Sequence, residues 1–349
     1  MVIYMKKTRA ILLSVIISVL VFSGCGKPKN VVNVYNWGDY IDPDVIDMFE
    51  EETGIKVNYD MFETNEDMYT KIVNAKTSYD VLVPSDYMIE RMIKEDLLEK
   101  INFDNIPNYK YIDDDFKNLS YDKNNEYSVP YTWGTMGILY NSKMVDGKID
   151  SWKALWDEKY ADSIMMYNSQ RDTIGITLKM LGYSLNSTDE KELKEATDAL
   201  IDQSKLVLCY VVDEGKDKMI QGEAALSLAW SGDAQYCIDN NPDLRYVIPK
   251  EGSNIFFDSM VIPKTTQNKE GAEAFINYMA RPEIAAKNAK YIGYSTPETA
   301  AREKMGKAGK SEVAYPDLSK HADLEIFTAL GDKVKIYDEL WTKVISSFE

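Results

Sequence analysis

The chain has 349 residues, with 57 acidic and 40 basic side chains, one histidine and a formal net charge of −17 at pH 7. This balance excludes a nucleic-acid-binding protein, which needs basic patches, and it favours attraction of cations over anions. Three cysteines are too few for a disulfide framework, and spacing does not show whether Cys209 and Cys237 pair. The length exceeds that of one ordinary hydrophobic core and predicts two lobes.

The N-terminal segment has the order of a secretory signal peptide. Basic residues at positions 6, 7 and 9 precede the apolar run AILLSVIISVLVF, and small residues lead up to Cys25. The end FSGCG resembles a bacterial lipobox, in which the signal is cut before the cysteine and the cysteine receives a diacylglycerol. We therefore expect residues 1–24 to be removed, residues 25–30 to form a linker, and Cys25 to anchor the chain at the extracytoplasmic face of the cell membrane. An uncleaved membrane anchor and simple secretion remain the alternatives.

The mature chain begins with alternating strand and helix patterns. In order they are the strand VVNVY, the helix DPDVIDMFEEETG, the strand IKVNYD, a helix over residues 65–75, the strand YDVLVP and the helix DYMIERMIKEDLLEK. The first helix has Asp42 as N-cap, Pro43 at its first position and Gly54 just beyond its end. This β-α-β-α-β order predicts a mostly parallel sheet covered by helices.

A second set of elements follows after a long apolar stretch. The stretch is YSVPYTWGTMGILYN, and the second set runs through SIMMY, RDTIGITLKMLG, DEKELKEATDALIDQ, KLVLCYV, KDKMIQG, EAALSLAW and AQYCIDNN. A further strand, FFDSMVIP, comes after it. We expect the long stretch to cross from one α/β lobe to the other and the later strand to carry the chain back.

Aromatic and acidic side chains gather in loops that lead from strands into helices. In open parallel sheets, ligands bind in the crevice beyond the carboxyl ends of the strands, where such loops lie. Three loops of this type, after VVNVY, after YDVLVP and within LAWSGDA, supply Trp37, Asp39, Tyr40, Ser85, Tyr87, Trp230 and Asp233. The segments IFFDSM and YIGYSTPETAA add Phe256, Asp258 and Tyr294.

This combination of rings and carboxylates predicts a cationic ligand with an apolar stem. An aromatic face attracts a cation by about 0.5 to 2 kcal/mol, and a hydrogen bond to a charged group adds about 1.5 to 3 kcal/mol. Each buried methylene adds about 0.8 kcal/mol. Set against an association cost of several kcal/mol, these groups support binding near −8 kcal/mol, about micromolar. A polyamine has this shape and needs neither a metal nor a cofactor.

The chain from residue 31 to residue 349 resembles the spermidine/putrescine substrate-binding proteins of ABC importers. The matching segments, in the family's order, are VYNWGDYIDPDVIDMFEEETGIKVNYD, YDVLVPSDY, VPYTWGTMGILYN, SWKALW, LAWSGDA, IPKEGSNIFFDSMVIP, NKEGAEAFINYMARPEIA and IGYSTPETAA. Each segment alone is a weak signal, and the eight together are specific.

The resemblance implies an α/β fold of the two-lobe, type II periplasmic-binding-protein kind, with the ligand cleft between the lobes. It places residues 31–134 and about 258–303 in the first lobe, and residues 135–257 and about 304–349 in the second. It also implies a monomer that delivers putrescine or spermidine to an ABC permease and its ATPase subunits. No cofactor and no metal are expected.

Roles in the first predicted half of the cleft follow from the same resemblance. Trp37 and Tyr40 match residues that stack on the polyamine stem, and Asp39 matches one that holds a terminal amine in putrescine-type members. Ser85 and Tyr87 match polar contacts. From the residues alone, a tryptophan such as Trp37 is more often a packing residue than a ligand wall, Asp39 can cap a turn and Ser85 can cap its helix.

The remaining matches come from later segments of the chain. Asp172 falls where the family has an acidic residue at the middle of the ligand. Trp230 and Phe256 resemble opposing aromatic walls, Asp258 a carboxylate on an amine, and Tyr294 a further wall or hydrogen-bond donor.

Two departures from the family pattern bear on ligand choice. Spermidine-preferring members have an acidic residue at the position of Ser169 and an amide near that of Phe327. Their loss here, together with retention of Asp39 and of Asp233 in WSGD, favours putrescine over spermidine. Calorimetric titration with both ligands tests this preference.

Other classes of function remain open at the level of sequence. A secreted hydrolase could use paired carboxylates in a cleft, although the only histidine is His321 and no GxSxG motif is present. A binder of amino acids would need an arginine for the α-carboxylate, and a binder of quaternary amines would need an aromatic cage with fewer acids. A polyamine sensor that transports nothing has the same binding residues as an importer component.

Overall fold

The structure is a computed structural model that describes residues 30–74, 78–321 and 323–348. The predicted signal peptide, the predicted lipid attachment site at Cys25 and most of the linker lie outside these residues. In the part of the chain that is described, none of the helices combines the length and the apolar character that a bilayer crossing requires. Cys209 and Cys237 are both free thiols.

The N-terminal part of the described chain forms the expected β-α-β-α-β unit. Its parallel strands are β1 (Val31–Trp37), β2 (Lys56–Phe62) and β3 (Val81–Leu82). Its helices are α1 (Pro43–Thr53), α2 (Asn65–Asn74) and α3 (Asp86–Lys94). The Asp42 carboxylate caps α1 by accepting a hydrogen bond from the Asp44 backbone N–H at 3.0 Å. Gly54 ends the helix at φ 70°, a left-handed conformation that glycine adopts without steric cost.

The middle of the chain contains the second set of elements. Its strands are β4 (Ser128–Asn141), β5 (Ile164–Tyr167), β6 (Val207–Val211), β7 (Leu226–Trp230) and β8 (Leu244–Val247). Its helices are α4 (Gln170–Met180), α5 (Glu190–Gln203), α6 (Glu214–Gln221) and α7 (Ser231–Asn240). The strands and helices predicted here from the sequence are therefore confirmed.

The C-terminal part of the chain contributes elements that pack in both halves of the molecule. It contains β9 (Ser253–Val261), α8 (Lys269–Met279), α9 (Pro282–Ile292), α10 (Thr299–Lys304), β10 (Leu324–Glu325) and α11 (Val334–Phe348). Met305, Ala314 and Tyr315 pack in the same cluster as Tyr35 of β1. By contrast, α11 packs against α5. The segment just after residue 304 thus packs beside β1, and the last helix packs against the second set of elements.

Two sheets share the long strand β4. The first sheet has the order β2-β1-β3-β9-β4, and the second has the order β6-β5-β7-β4-β8. Ser128–Thr135 of β4 pairs antiparallel with β9, and the next residue, Met136, begins the pairing with β7. One continuous strand therefore passes from the first sheet into the second.

Separate hydrophobic cores cover the two sheets. Val34 and Tyr35 are neighbours on β1 and belong to different clusters, because successive side chains of a strand point to opposite faces. The first sheet is therefore buried on both faces. The second sheet has its own cluster, which includes Met136, Trp152 and Leu226.

Candidate functional site

A cavity of about 850 Å³, counted with the solvent at its mouth, lies between the two sheets. Strand ends from both sheets supply its walls: Trp37 ends β1 and Trp230 ends β7. Ten of the eleven residues predicted to bind ligand line this cavity, namely Trp37, Tyr40, Ser85, Tyr87, Asp172, Trp230, Asp233, Phe256, Asp258 and Tyr294. The eleventh, Asp39, does not line it.

Asp258 on β9 provides a buried carboxylate with hydroxyl partners. Only 4% of the residue is exposed. The Tyr40 hydroxyl donates to its Oδ2 at 2.6 Å, and the Ser85 hydroxyl donates to its Oδ1 at 2.7 Å. Burial raises the pKa of Asp258 to about 6, and the two hydrogen bonds oppose that rise. A carboxylate in this environment gains strongly from a cation that enters the cavity.

The same contacts settle the local role of Ser85. It occupies the N-cap position of α3, but its side chain makes no capping hydrogen bond. Its hydroxyl instead donates to Asp258 and accepts from the Asn65 side-chain amide at 3.1 Å. The hydroxyl is therefore used to support the cavity carboxylate, and not to satisfy the helix terminus.

Trp37 and Tyr40 form an aromatic side of the cavity. The Trp37 indole N–H donates to the Val83 carbonyl oxygen at 2.8 Å, which fixes the plane of the ring. The Phe62 ring packs against the indole with centroids 4.6 Å apart. Tyr40 makes an edge contact with Tyr294, with centroids 4.8 Å apart. Because the polar edge of the indole is already satisfied, its remaining contribution to the cavity is apolar surface.

Asp233 in α7 provides a second buried carboxylate, with 7% of the residue exposed. The Tyr294 hydroxyl donates to its Oδ1 at 2.9 Å. Burial raises the pKa of Asp233, and the charge of Lys216 opposes that rise. A side chain at Gly232 would place its Cβ 2.0 Å from the Tyr294 ring, so glycine is needed for the two segments to meet. The segment WSGD thus supplies the Trp230 ring, a glycine that lets Tyr294 approach closely, and the carboxylate of Asp233.

Glu66 and Asp172 form a third acidic region, and Glu66 was missed at the sequence level. The Tyr87 hydroxyl donates to Glu66 Oε1 at 3.0 Å, and the Ser169 hydroxyl donates to Asp172 Oδ2 at 2.6 Å. Burial raises the pKa of both carboxyl groups, that of Asp172 to about 6, and the charge of Glu66 contributes to the rise at Asp172. Glu66 follows β2 in the first turn of α2, so the strand-to-helix rule that selected Trp37 would have found it.

Tyr167 at the end of β5 was also missed. Its ring lies 4.1 Å from that of Trp230, centroid to centroid, and it lines the cavity. Its oxygen accepts a hydrogen bond from the Trp230 backbone N–H at 3.0 Å. Tyr167 therefore holds the predicted aromatic wall in position.

The side chain of Asp39 is not part of the cavity lining. Its backbone has φ 48°, a left-handed conformation that turns the chain between Trp37 and Tyr40. The side chain is 73% exposed, and its Oδ2 lies 3.1 Å from Lys216 Nζ on the opposite side of the cleft. The structure thus pairs Asp39 with a protein cation, where the sequence predicted a ligand amine.

The departures noted at Ser169 and Phe327 both lie in the lining. Phe327 presents a ring where an amide was expected in spermidine-preferring relatives. The guanidinium of Arg171 stacks on Phe327, 4.5 Å from the ring centroid, and on Tyr87 at 4.7 Å. This stack keeps a buried cation next to the acidic region of Glu66 and Asp172. Within the described ranges, no group of three or more His, Cys, Asp or Glu side chains is arranged to hold a metal.

Comparisons with known proteins agree with this architecture. The family described as bacterial extracellular solute-binding protein matches residues 44–317. The spermidine/putrescine-binding periplasmic protein of Salmonella typhimurium is 37% identical over 313 residues, covering 89% of this chain and 90% of that protein.

Solved structures give the same result. A Listeria monocytogenes protein described as a spermidine/putrescine ABC transporter matches with a TM-score of 0.88 and 44% identity, covering 90% of this chain and 99% of that one. A spermidine/putrescine ABC transporter substrate-binding protein from Streptococcus pneumoniae matches with a TM-score of 0.77 and 42% identity, covering 92% of this chain and 100% of that one.

Proposed function

This chain belongs to the bacterial extracellular solute-binding proteins, and from that membership we propose that it captures a polyamine and delivers it to an ABC permease. The predicted two-lobe α/β fold of the type II periplasmic-binding-protein kind is confirmed. The relatives are solute-binding proteins and not enzymes, so the hydrolase alternative falls away. The protein acts outside the cytoplasm as part of an ABC importer.

The observation that carries the proposal is the Asp258 carboxylate. It is buried, it faces an aromatic-lined cavity, and its partners Tyr40 and Ser85 are neutral hydroxyls. Burial of a carboxylate without a cation is costly. A ligand ammonium repays that cost and adds a charge-assisted hydrogen bond of about 1.5 to 3 kcal/mol.

The proposed ligand-binding residues fall into two kinds. The acidic residues would hold amines, and the aromatic residues would cover the methylene stem between them. We keep the predicted set, with Asp39 as an indirect member, and extend it by Glu66 and Tyr167 on the strength of their place in the lining.

Putrescine is the proposed preferred ligand, with spermidine as the second. The sequence argument for this preference used Asp39 and Asp233 as free carboxylates, and in the structure both lie within 4 Å of Lys216 Nζ. The preference therefore depends on how many carboxylates remain for the ligand.

The lobes are proposed to close on the ligand by bending where β4 and β9 cross. We assign residues 31–134 and 258 to about 315 to the first lobe, and residues 135–257 and about 324–349 to the second. Closure occurs only to the extent that the ligand binds the closed form more tightly. The proposal includes a monomer held by a lipid at Cys25, which mass spectrometry of the membrane fraction tests, with a Cys25→Ala chain as control.

The experiment that tests the function is a thermal-shift screen of the purified mature chain, followed by calorimetry. Putrescine, spermidine, basic amino acids and betaine are compared at equal concentration. We expect the two polyamines to raise the unfolding temperature and to be recovered unchanged after denaturation of the complex. Stabilisation by betaine or an amino acid alone would overturn the assignment.

A further inference from the structure

Lys216 on α6 places an ammonium among three carboxylates beside the cavity, two of which line it although Lys216 itself does not. Its Nζ lies 3.1 Å from Asp39 Oδ2 and 3.9 Å from both Asp213 Oδ1 and Asp233 Oδ1. Only 12% of the Lys216 side chain is exposed. Asp39 comes from the loop after β1, whereas the other two acids belong to the second set of elements. The ammonium therefore joins acids from both sides of the cleft.

The position has the chemistry of an amine subsite. Asp213 and Asp233 both line the cavity, and Asp233 also accepts a hydrogen bond from Tyr294. An ammonium on a methylene chain, surrounded by carboxylates, is the arrangement expected for the end of a bound polyamine. Here the protein itself supplies that ammonium, on the four-carbon stem of a lysine.

The other acidic residues of the cavity differ in this respect. Within the described residues, no ion pair joins Asp258, Glu66 or Asp172 to a lysine or arginine. Their direct partners are the hydroxyl groups of tyrosines and serines. The Asp258 region thus has no cation among its direct partners, the Glu66 and Asp172 region feels the charge of Arg171 without an ion pair to it, and the Asp233 region already contacts a protein ammonium.

We propose that Lys216 is a specificity-determining residue that takes the place of one ligand ammonium, so that the cleft favours a diamine over a triamine. The inference rests on the proposed polyamine binding and deepens it. A diamine supplies cations to the Asp258 region and the Glu66 and Asp172 region. A triamine brings a third ammonium, but the carboxylates that could hold it are already paired with Lys216. That ammonium would lose its hydration without forming a new ion pair.

A purely structural ion pair between the lobes predicts a different result. A bridge from Lys216 to Asp39 that only stabilises the closed form would strengthen the binding of every ligand by the same factor. Its removal would change the affinities for putrescine and spermidine together. The ratio of the two dissociation constants separates the two roles.

The test replaces Lys216 with methionine, which keeps most of the stem and removes the charge. We expect the ratio of the putrescine Kd to the spermidine Kd, measured by calorimetry, to rise about tenfold in K216M. The matched control is K218M, two positions along the same helix, where Lys218 pairs with Glu223 outside the cavity. K218M should change the ratio by about twofold or less. An unchanged ratio in a folded K216M protein overturns the proposal.

A second variant keeps the proposal testable if K216M does not fold. Asp39 is largely exposed, so D39N leaves the cores intact. If Asp39 serves Lys216 and does not touch the ligand, D39N weakens putrescine binding by about threefold or less. A loss as large as that of D258N would show that Asp39 binds the ligand amine directly. Failure of the proposed function gives a separate result, because the wild-type protein would then bind neither polyamine.

Discussion

The Asp258 end and the Asp233 end of the cleft present the same chemical group in two electrostatic states. Both carboxylates are buried, both accept a tyrosine hydroxyl, and both face the same cavity. Among the residues that the structure describes, the side-chain partners of Asp258 are hydroxyl groups, whereas Asp233 lies near the ammonium of Lys216. Burial alone therefore does not make a carboxylate a ligand site; what matters is whether the protein has already supplied its counterion.

The largest effect on putrescine affinity is expected when the carboxylates of Asp258 and Asp233 are replaced one at a time, because the two losses should differ. D258N is expected to weaken putrescine binding by at least about tenfold, because the ammonium loses its charge-assisted partner. D233N is expected to cost about threefold or less, because Asp233 is compensated by Lys216 without the ligand. Calorimetry measures both, with D47N on the exposed face of α1 as control. Equal losses in D258N and D233N would abolish the distinction between the two ends.

The pH dependence of binding sharpens the same contrast. Burial raises the pKa of Asp258 and of Asp172 to about 6. As the pH falls from 7.5 to 5, these groups take up protons, and each protonated carboxyl group weakens cation binding by up to about tenfold. Calorimetry at the two pH values should show the loss, and D258N should reduce it. Affinity that is independent of pH would contradict the assignment of these carboxylates to amines.

Stability without ligand should respond to pH in the opposite direction. The pKa of Asp258 in the folded protein, about 6, lies above the unfolded value, which is about 3.9. The folded state then binds protons more tightly than the unfolded state, so this group lowers the free energy of unfolding as the pH rises from 4 to 7. Thermal unfolding of wild type and D258N over this range separates its contribution from those of the other acids.

The smallest effect is expected from removing single hydroxyl groups. Y40F takes away a donor to Asp258 that no cation replaces, and we expect an about fivefold loss of putrescine affinity. Y294F takes away a donor to Asp233, which keeps Lys216 nearby, and we expect an about twofold loss. Calorimetry on both variants shows which end of the cleft contributes more to putrescine affinity. A larger loss in Y294F than in Y40F would contradict the expected order.

Sequence reasoning located the cavity because its rule concerns topology. Loops after parallel strands meet at one edge of a sheet, and this placed Trp37, Ser85 and Trp230 correctly. The same rule covers Glu66, which lies just after β2, and Phe62 at the end of that strand also lines the cavity. The periodic patterns likewise predicted the helices and strands, since each buries one face.

The orientation of Asp39 could not be obtained in that way. A left-handed residue in a short loop reverses which side chains face inward, and no pattern in NWGDY indicates φ 48°. Its partner Lys216 lies 177 residues further along the chain, on a helix that the sequence predicted without giving it a function. Contacts between lobes depend on how two separately folded units meet, which local patterns do not encode.

The crossing strands have a mechanical consequence. Met136 marks the change of partners along β4, and its carbonyl oxygen accepts a hydrogen bond from the Ser253 hydroxyl of β9 at 2.7 Å. In the proposed hinge motion, this hydrogen bond would keep the two strands together while the lobes rotate. Opening would then be a small twist spread over several φ and ψ angles, and the ligand would leave while the hydrogen bonds between β4 and β9 stay intact.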